Sequence, residues 1–306
     1  MLLEEFELYG SRFRWFEGDA FRGLGGPCIP LLRMLQPLPP ESVIWFNRDD
    51  GDKPWCGKCE TGFVYRFKDI AEFLLPSDGS IVKAFLNAQA APWAVSFVLC
   101  HGVIPRVLHL RGTTCLHASA VVVRERVIAF CGPSGSGKST LAAAMATRGY
   151  SLVTDDVLPL RTVPPGDAVL AGPGLPEARL QPSTAAQLGI ADQAAPPGPG
   201  QTKLVWRPES IVTAALPLSG IYLLEPRLES DSGMATTSLP IPQGALLSLL
   251  SNSFWLHAGE TAALAADLTR FAQVVRSVPI SRLSFDLTDT GFDLVEQLIS
   301  CVSSGQ

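Results

Sequence analysis

Arg126-Val127-Ile128-Ala129-Phe130-Cys131-Gly132-Pro133-Ser134-Gly135-Ser136-Gly137-Lys138-Ser139-Thr140-Leu141 is the stretch that decides the fold. Its first six residues are an apolar run of strand length. The next eight fit the pattern of a glycine, four residues, then Gly-Lys-Ser, the Walker A phosphate-loop motif. Leu141, Ala144, Met145 and Arg148 then recur at helical spacing, and Gly149 stands where a helix end needs positive φ. Strand, glycine-rich loop and helix follow in the order that phosphate binding demands.

Each loop position has a physical task. Gly132, Gly135 and Gly137 let the backbone turn tightly and bring its N–H groups against phosphate oxygens with no Cβ in the way. Pro133, Ser134 and Ser136 complete the cradle. Lys138 brings a positive charge to the β and γ phosphates, and the positive end of the following helix adds to it. Ser139 is the expected Mg²⁺ ligand. The motif implies ATP and Mg²⁺ as the groups bound.

Upstream, Cys115 to Val123 and Arg126 to Cys131 are β-rich runs joined by Arg124-Glu125, a hairpin that feeds the loop. His117 opens that hairpin, and alternation along the strand can aim it into the same crevice. Downstream, Tyr150-Ser151-Leu152-Val153-Thr154 reads as a strand ending in Asp155-Asp156. Carboxylates at the C-terminal end of such a strand lie where α/β sheets bind ligands. Two of them can divide the work of accepting a hydroxyl proton and holding a metal. Lys203, Arg207 and Arg179 follow in loop-rich sequence and could neutralise a transferring phosphoryl group.

Residues 1–92 are rich in aromatics and turn residues with short alternating runs, such as Val43-Ile44-Trp45-Phe46 and Phe63-Val64-Tyr65-Arg66-Phe67, which predict a small, mostly β module. The second domain is expected over 93–306. A helix is expected from Trp93 to Leu110, weakened at Gly102 and Pro105. Later elements are a strand at Leu216–Leu224, a helix at Ala262–Val275, a strand at Leu283–Asp286 and a helix at Phe292–Val302. Pro164-Pro165-Gly166 and Ala194 to Gly200 read as exposed loops, one of them a candidate flap.

With 47% hydrophobic and 17% charged residues the chain can bury a full core. Its formal charge of −5, without a basic block, offers no footprint for nucleic acid or an anionic membrane. The acidic N-terminus is unlike a signal peptide, and no apolar run approaches the length of a membrane span. The seven scattered cysteines suit reduced thiols. A cytoplasmic location is therefore expected, with no nucleic-acid or membrane partner, and self-association is left open. Cys56-Gly57-Lys58-Cys59 has zinc-knuckle spacing but lacks a second pair.

Leu116-His117-Ala118-Ser119-Ala120, then Gly132 to Leu141, then Gly149-Tyr150 and Asp155-Asp156-Val157-Leu158, together resemble the catalytic domain of HPr serine kinase/phosphorylase. The likeness is strongest to the shorter HPr-kinase-like proteins of peptide-modification clusters, including lasso-peptide kinases. It is tight over residues 108–160 and looser to about 300, where Pro176 to Leu180 and Pro279 to Leu283 also resemble the family. The resemblance implies an α/β P-loop kinase domain of the HPr kinase / phosphoenolpyruvate-carboxykinase-like type. It further implies transfer of the ATP γ-phosphate to a serine hydroxyl of a peptide or protein, with Thr140 among the nucleotide-binding residues. By position, Asp155 would be the base, Asp156 a metal or support ligand, and His117 an active-site residue, one that could orient Asp155. The Glu-x-Arg-Gly-x-Gly stretch of the bifunctional enzymes has no match in residues 170–185, so the phosphorylase half-reaction is not expected. A small-molecule hydroxyl kinase and a non-catalytic ATP-binding regulatory module are the competing readings; the acid pair and His117 favour catalysis, since a switch needs no base.

Overall fold

The computed structural model describes residues 2–8, 11–17, 28–39, 42–47, 54–163, 168–225, 236–254 and 261–302. The chain forms two compact units, Met1–Thr113 and, apart from a short segment after Phe254, Thr114–Gln306.

In the first unit β1 (Leu2–Leu8), β2 (Ser11–Glu17), β3 (Cys28–Arg33), β4 (Ile44–Asn47), β5 (Trp55–Cys59), β6 (Gly62–Phe67), β7 (Ala71–Pro76) and β8 (Val82–Leu86) make one sheet, ordered β1-β2-β3-β8-β7-β6-β5-β4. β3 runs parallel to β2 and to β8, and the other neighbours are antiparallel. The sheet is followed by α1 (Pro92–Phe97), a π-helical stretch Val98–Val103 and α2 (Ile104–Leu110), which run on from one another. The wide π turn lies just ahead of Pro105, whose missing N–H cannot serve a regular helical ladder. This segment packs with the sheet: Arg106 lies over the Tyr65 ring at 4.9 Å, and the Phe67 ring abuts Gly102. For that reason the unit extends to Thr113, later than the 92/93 boundary read from composition.

The expectation that no apolar run reaches membrane-span length needs correction. Pro92–Leu110 is 19 residues of helix with a mean hydropathy of 1.4 in its most apolar window. By length and composition alone a buried core helix passes the same test, and Val103, Ile104 and Val107 are fully buried. Cys56 and Cys59 sit three apart on β5, so their side chains leave the sheet on opposite faces. Neither is in a disulfide, and no cluster of metal-ligating side chains occurs among the described residues.

The second unit is a mixed α/β domain. Its strands are β9 (Thr114–Val123), β10 (Arg126–Cys131), β11 (Leu152–Thr154), β12 (Val157–Val163), β13 (Ala168–Ala171), β14 (Ala178–Leu180), β15 (Ala194–Ala195), β16 (Leu204–Trp206), β17 (Leu216–Leu224), β18 (Thr236–Ser238) and β19 (Ile280–Ser284). Its helices are α3 (Lys138–Thr147), α4 (Pro182–Gln187), α5 (Pro242–Ser251), α6 (Thr261–Ser277) and α7 (Asp289–Val302). The turn residues Arg124 and Glu125 both adopt positive φ, as a two-residue β9–β10 hairpin requires. β10 pairs in parallel with β17, and β17 in parallel with β19. β12 and β13 bridge the first half of β9 to the start of β17, so the pairing closes on itself through β10.

Alternation along β10 builds two cores. Ile128 and Phe130 face α3 and α7, meeting Leu141, Met145, Phe292 and Val295. Val127, Ala129 and Cys131 face the other way, toward Leu158, Leu160, Leu249 and Phe271. Each large side chain buried this way contributes roughly 1.5–3 kcal/mol relative to exposure. α7 is further tied to the α3 end by Arg148–Asp293 at 3.2 Å and by Tyr150–Glu296 at 2.9 Å. The result is a rigid platform for the loop between β10 and α3. One segment differs from the sequence reading: Ala194–Ala195 is no free loop but pairs with β16. Residues 164–166 lie outside those described.

Candidate active site

The loop Gly132–Ser139 lies between β10 and α3, at the edge where the parallel strands β10, β17 and β19 end. Gly132, Gly135 and Gly137 have φ of +154°, +84° and +90°. A Cβ on Gly132 would meet the Leu224 carbonyl at 2.9 Å, and one on Gly137 would meet Leu287 Cδ2 at 2.8 Å. A Cβ on Gly135 would meet nothing within 4 Å, so this side of the loop faces open space. Lys138 Nζ donates to the carbonyls of Gly132 at 2.8 Å and Pro133 at 3.1 Å. Pro133 O also accepts the Ser136 N–H at 3.2 Å. Ser136 Oγ is buried without a hydrogen-bond partner among the described residues. Ser134 is exposed and Thr140, in the first turn of α3, is half-buried. Burial pulls the Lys138 ammonium below the usual lysine value; Asp155 and Asp156 oppose that, and the charge of Lys203 adds to it.

β11 delivers the acids to this loop. Asp155 is buried: its Oδ1 accepts the Ser119 hydroxyl at 2.7 Å and its Oδ2 accepts the Arg179 backbone N–H at 2.8 Å. Burial still dominates and pushes its carboxyl up to about 6, against those hydrogen bonds and the pull of the Ser139 hydroxyl toward the charged form. Asp156 is more open, and its Oδ1 lies 2.7 Å from His117 Nδ1. His117 is itself 43% exposed, with the Phe254 ring edge-on at 6.2 Å. Its backbone N–H donates to Asn252 O, which ties the chain after α5 to the start of β9.

His117, Lys138, Ser139, Asp155 and Asp156 thus come together. One expected link is corrected: His117 pairs with Asp156 and not with Asp155. The reason is alternation. His117 and Ser119 project from the same face of β9 two residues apart, and each takes one of two successive acids on the neighbouring segment. Ser119, the Arg179 N–H and Phe254 were not singled out for roles from sequence. Ser119 carried a signal in its i, i+2 relation to His117; the other two are set only by tertiary contact. Of the candidate cations, Arg207 pairs with Glu177 at 2.6 Å, while Lys203 and Arg179 lie near the loop and the acid.

No model of a known protein family matches the chain. No curated protein matches it in sequence. Among solved structures, the HPr(Ser) kinase/phosphatase from Coxiella burnetii is similar over 62% of this chain and 98% of that one, at 12% identity and a TM-score of 0.31. This is a remote likeness, and no residue of the site is assigned from it.

Proposed function

We propose that the chain is a Mg-ATP-dependent phosphotransferase that moves the γ-phosphoryl group to a hydroxyl, that of a serine in a peptide or protein. The observation that carries this reading is the placement of the acid pair beside the phosphate loop: Ser119, paired with Phe130 near the end of β10, holds Asp155 by a 2.7 Å hydrogen bond. The residues suit the groups required. Hard oxygen donors, Ser139 Oγ and an Asp155 carboxylate oxygen, fit Mg²⁺, which takes few protein ligands beside substrate phosphates. The unpartnered Ser136 Oγ and the open side of Gly135 suit phosphate oxygens. Bound Mg²⁺ would offset the charge that builds on the phosphate oxygens.

The chain's own residues would then act as follows. Lys138 leaves the Gly132 and Pro133 carbonyls and turns its ammonium to the β and γ phosphates. Asp155, locked by Ser119 and the Arg179 N–H, fixes Ser139 on the metal side. Asp156, the more open acid, accepts the proton of the attacking hydroxyl, and His117 holds it in place. The geometry thus favours the reverse of the division read from position, because the base must be reached by the acceptor. Lys203 supplies further positive charge. Phosphorolysis is left out of the proposal, since residues 170–185 lack the stretch associated with it.

The test is incubation with γ-labelled ATP, Mg²⁺ and a library of serine peptides, with products identified by mass. Label on a serine, lost in Asp156→Asn, is the expected result. Label on a small hydroxyl compound only would replace the peptide acceptor, and ATP binding with no transfer to any acceptor would contradict catalysis.

A further inference from the structure

The cradle accounts for phosphates and leaves the base of the nucleotide without a seat. One large apolar side chain stands beside it. Leu287, in the turn between β19 and α7, lies against Gly137 where the loop becomes α3, and it is nevertheless 43% exposed. β19 runs parallel to β17, which runs parallel to β10, so Leu287 and the loop project from the same edge of one sheet. Ligands of open α/β sheets sit at that edge.

Leu287 is also held firmly. Its carbonyl accepts the Gln187 side-chain amide at 2.9 Å. The next residue, Thr288, takes the Gly291 N–H on its hydroxyl at 3.2 Å and the Phe292 N–H on its carbonyl at 2.9 Å. A Cβ on Gly291 would strike the Asp286 carbonyl at 2.1 Å, so the turn is packed tight around the leucine's backbone. A rigid, half-exposed apolar face within one nucleotide's length of a phosphate cradle has the character of the apolar lining by which small-molecule sites bury flat rings.

We propose that Leu287 is the platform for the nucleobase and that Gln187 positions it by gripping its carbonyl; this rests on the reading of Gly132–Ser139 as the phosphate site. The base, a flat heteroaromatic ring, covers the exposed isobutyl group. A purine buries more of that surface than a pyrimidine.

Calorimetric titration with two probes, Mg-ATP and Mg-tripolyphosphate, decides it. Leu287→Ala should weaken Mg-ATP about tenfold, since it strips apolar contact area from the base. It should leave tripolyphosphate within about twofold, because the cradle is untouched. Leu287→Met, which keeps the apolar volume, should retain Mg-ATP affinity, and thermal unfolding of both variants checks that the turn stays folded. Equal losses for both probes, or none for either, would overturn the platform. A wild-type protein that binds both probes equally would overturn it while leaving the phosphate loop standing, whereas one that binds neither would remove both.

Discussion

The loop Gly132–Ser139 takes its shape from its own residues, whereas the pair Asp155–Asp156 takes its character from partners far along the chain. In the loop, positive φ at three glycines and the Lys138 bonds to Gly132 and Pro133 are all local. Asp155 depends on Ser119, 36 residues earlier, and on Arg179, 24 residues later. Asp156 depends on His117. Two chemically identical, adjacent side chains thus end in unlike settings, one buried under two donors and one open beside an imidazole. A local motif shapes the loop proposed to hold phosphate; the neighbouring strand sets the two acids apart.

The largest break in that comparison should come from Lys138→Ala, which removes the only loop side chain that carries charge. Phosphoryl transfer should fall at least about 10³-fold, as for loss of a preorganised charge at a transferring group, with unfolding temperature nearly kept. Transfer within tenfold of wild type would detach the loop from the chemistry. Next, Asp156→Asn should cost about 10² to 10⁴ in single-turnover transfer with Mg-ATP affinity intact. Asp155→Asn should instead raise the Mg²⁺ concentration needed for half-maximal rate. Opposite phenotypes for the two variants would restore the division read from position.

Asp155 also makes a prediction free of any ligand. Its folded value of about 6 lies above the usual carboxylate value, so between the two the folded state holds a proton that the unfolded state has lost. Its ionisation therefore costs stability as pH rises from about 4 to 6, by about 3 kcal/mol in all. Asp155→Asn mimics the protonated form, so its stability relative to wild type should improve by about that amount between pH 3 and pH 7. Parallel pH profiles in urea denaturation would show that burial does not shift this acid. The smallest effects belong to the glycines. Gly135→Ala should lose about 1 kcal/mol for its positive φ, and Gly137→Ala somewhat more, because its Cβ also meets Leu287. Equal losses would mean that Leu287 yields freely.

The same contrast explains what was legible in the sequence. The β9–β10 hairpin, the loop, α3 and β11 follow from short patterns whose geometry is local. So do α6 and α7, from their periodicity. The unlike surroundings of the two acids were not legible, because strand pairing between β9 and the segment after β11 sets them. The membership of the helix after Pro92 was not legible for a related reason: its packing on Tyr65 and Phe67 is a tertiary contact. Leu287 could not be found from sequence, since nothing marks a turn leucine until Gly137 is seen beneath it.

Amide hydrogen exchange with and without saturating Mg-ATP reads the loop residue by residue. Exchange should slow at the N–H groups of Gly135 to Ser139 and across the first turn of α3, with the effect gone in Lys138→Ala. No protection there, or protection confined to residues 1–113, would contradict the assignment of this loop as the nucleotide site.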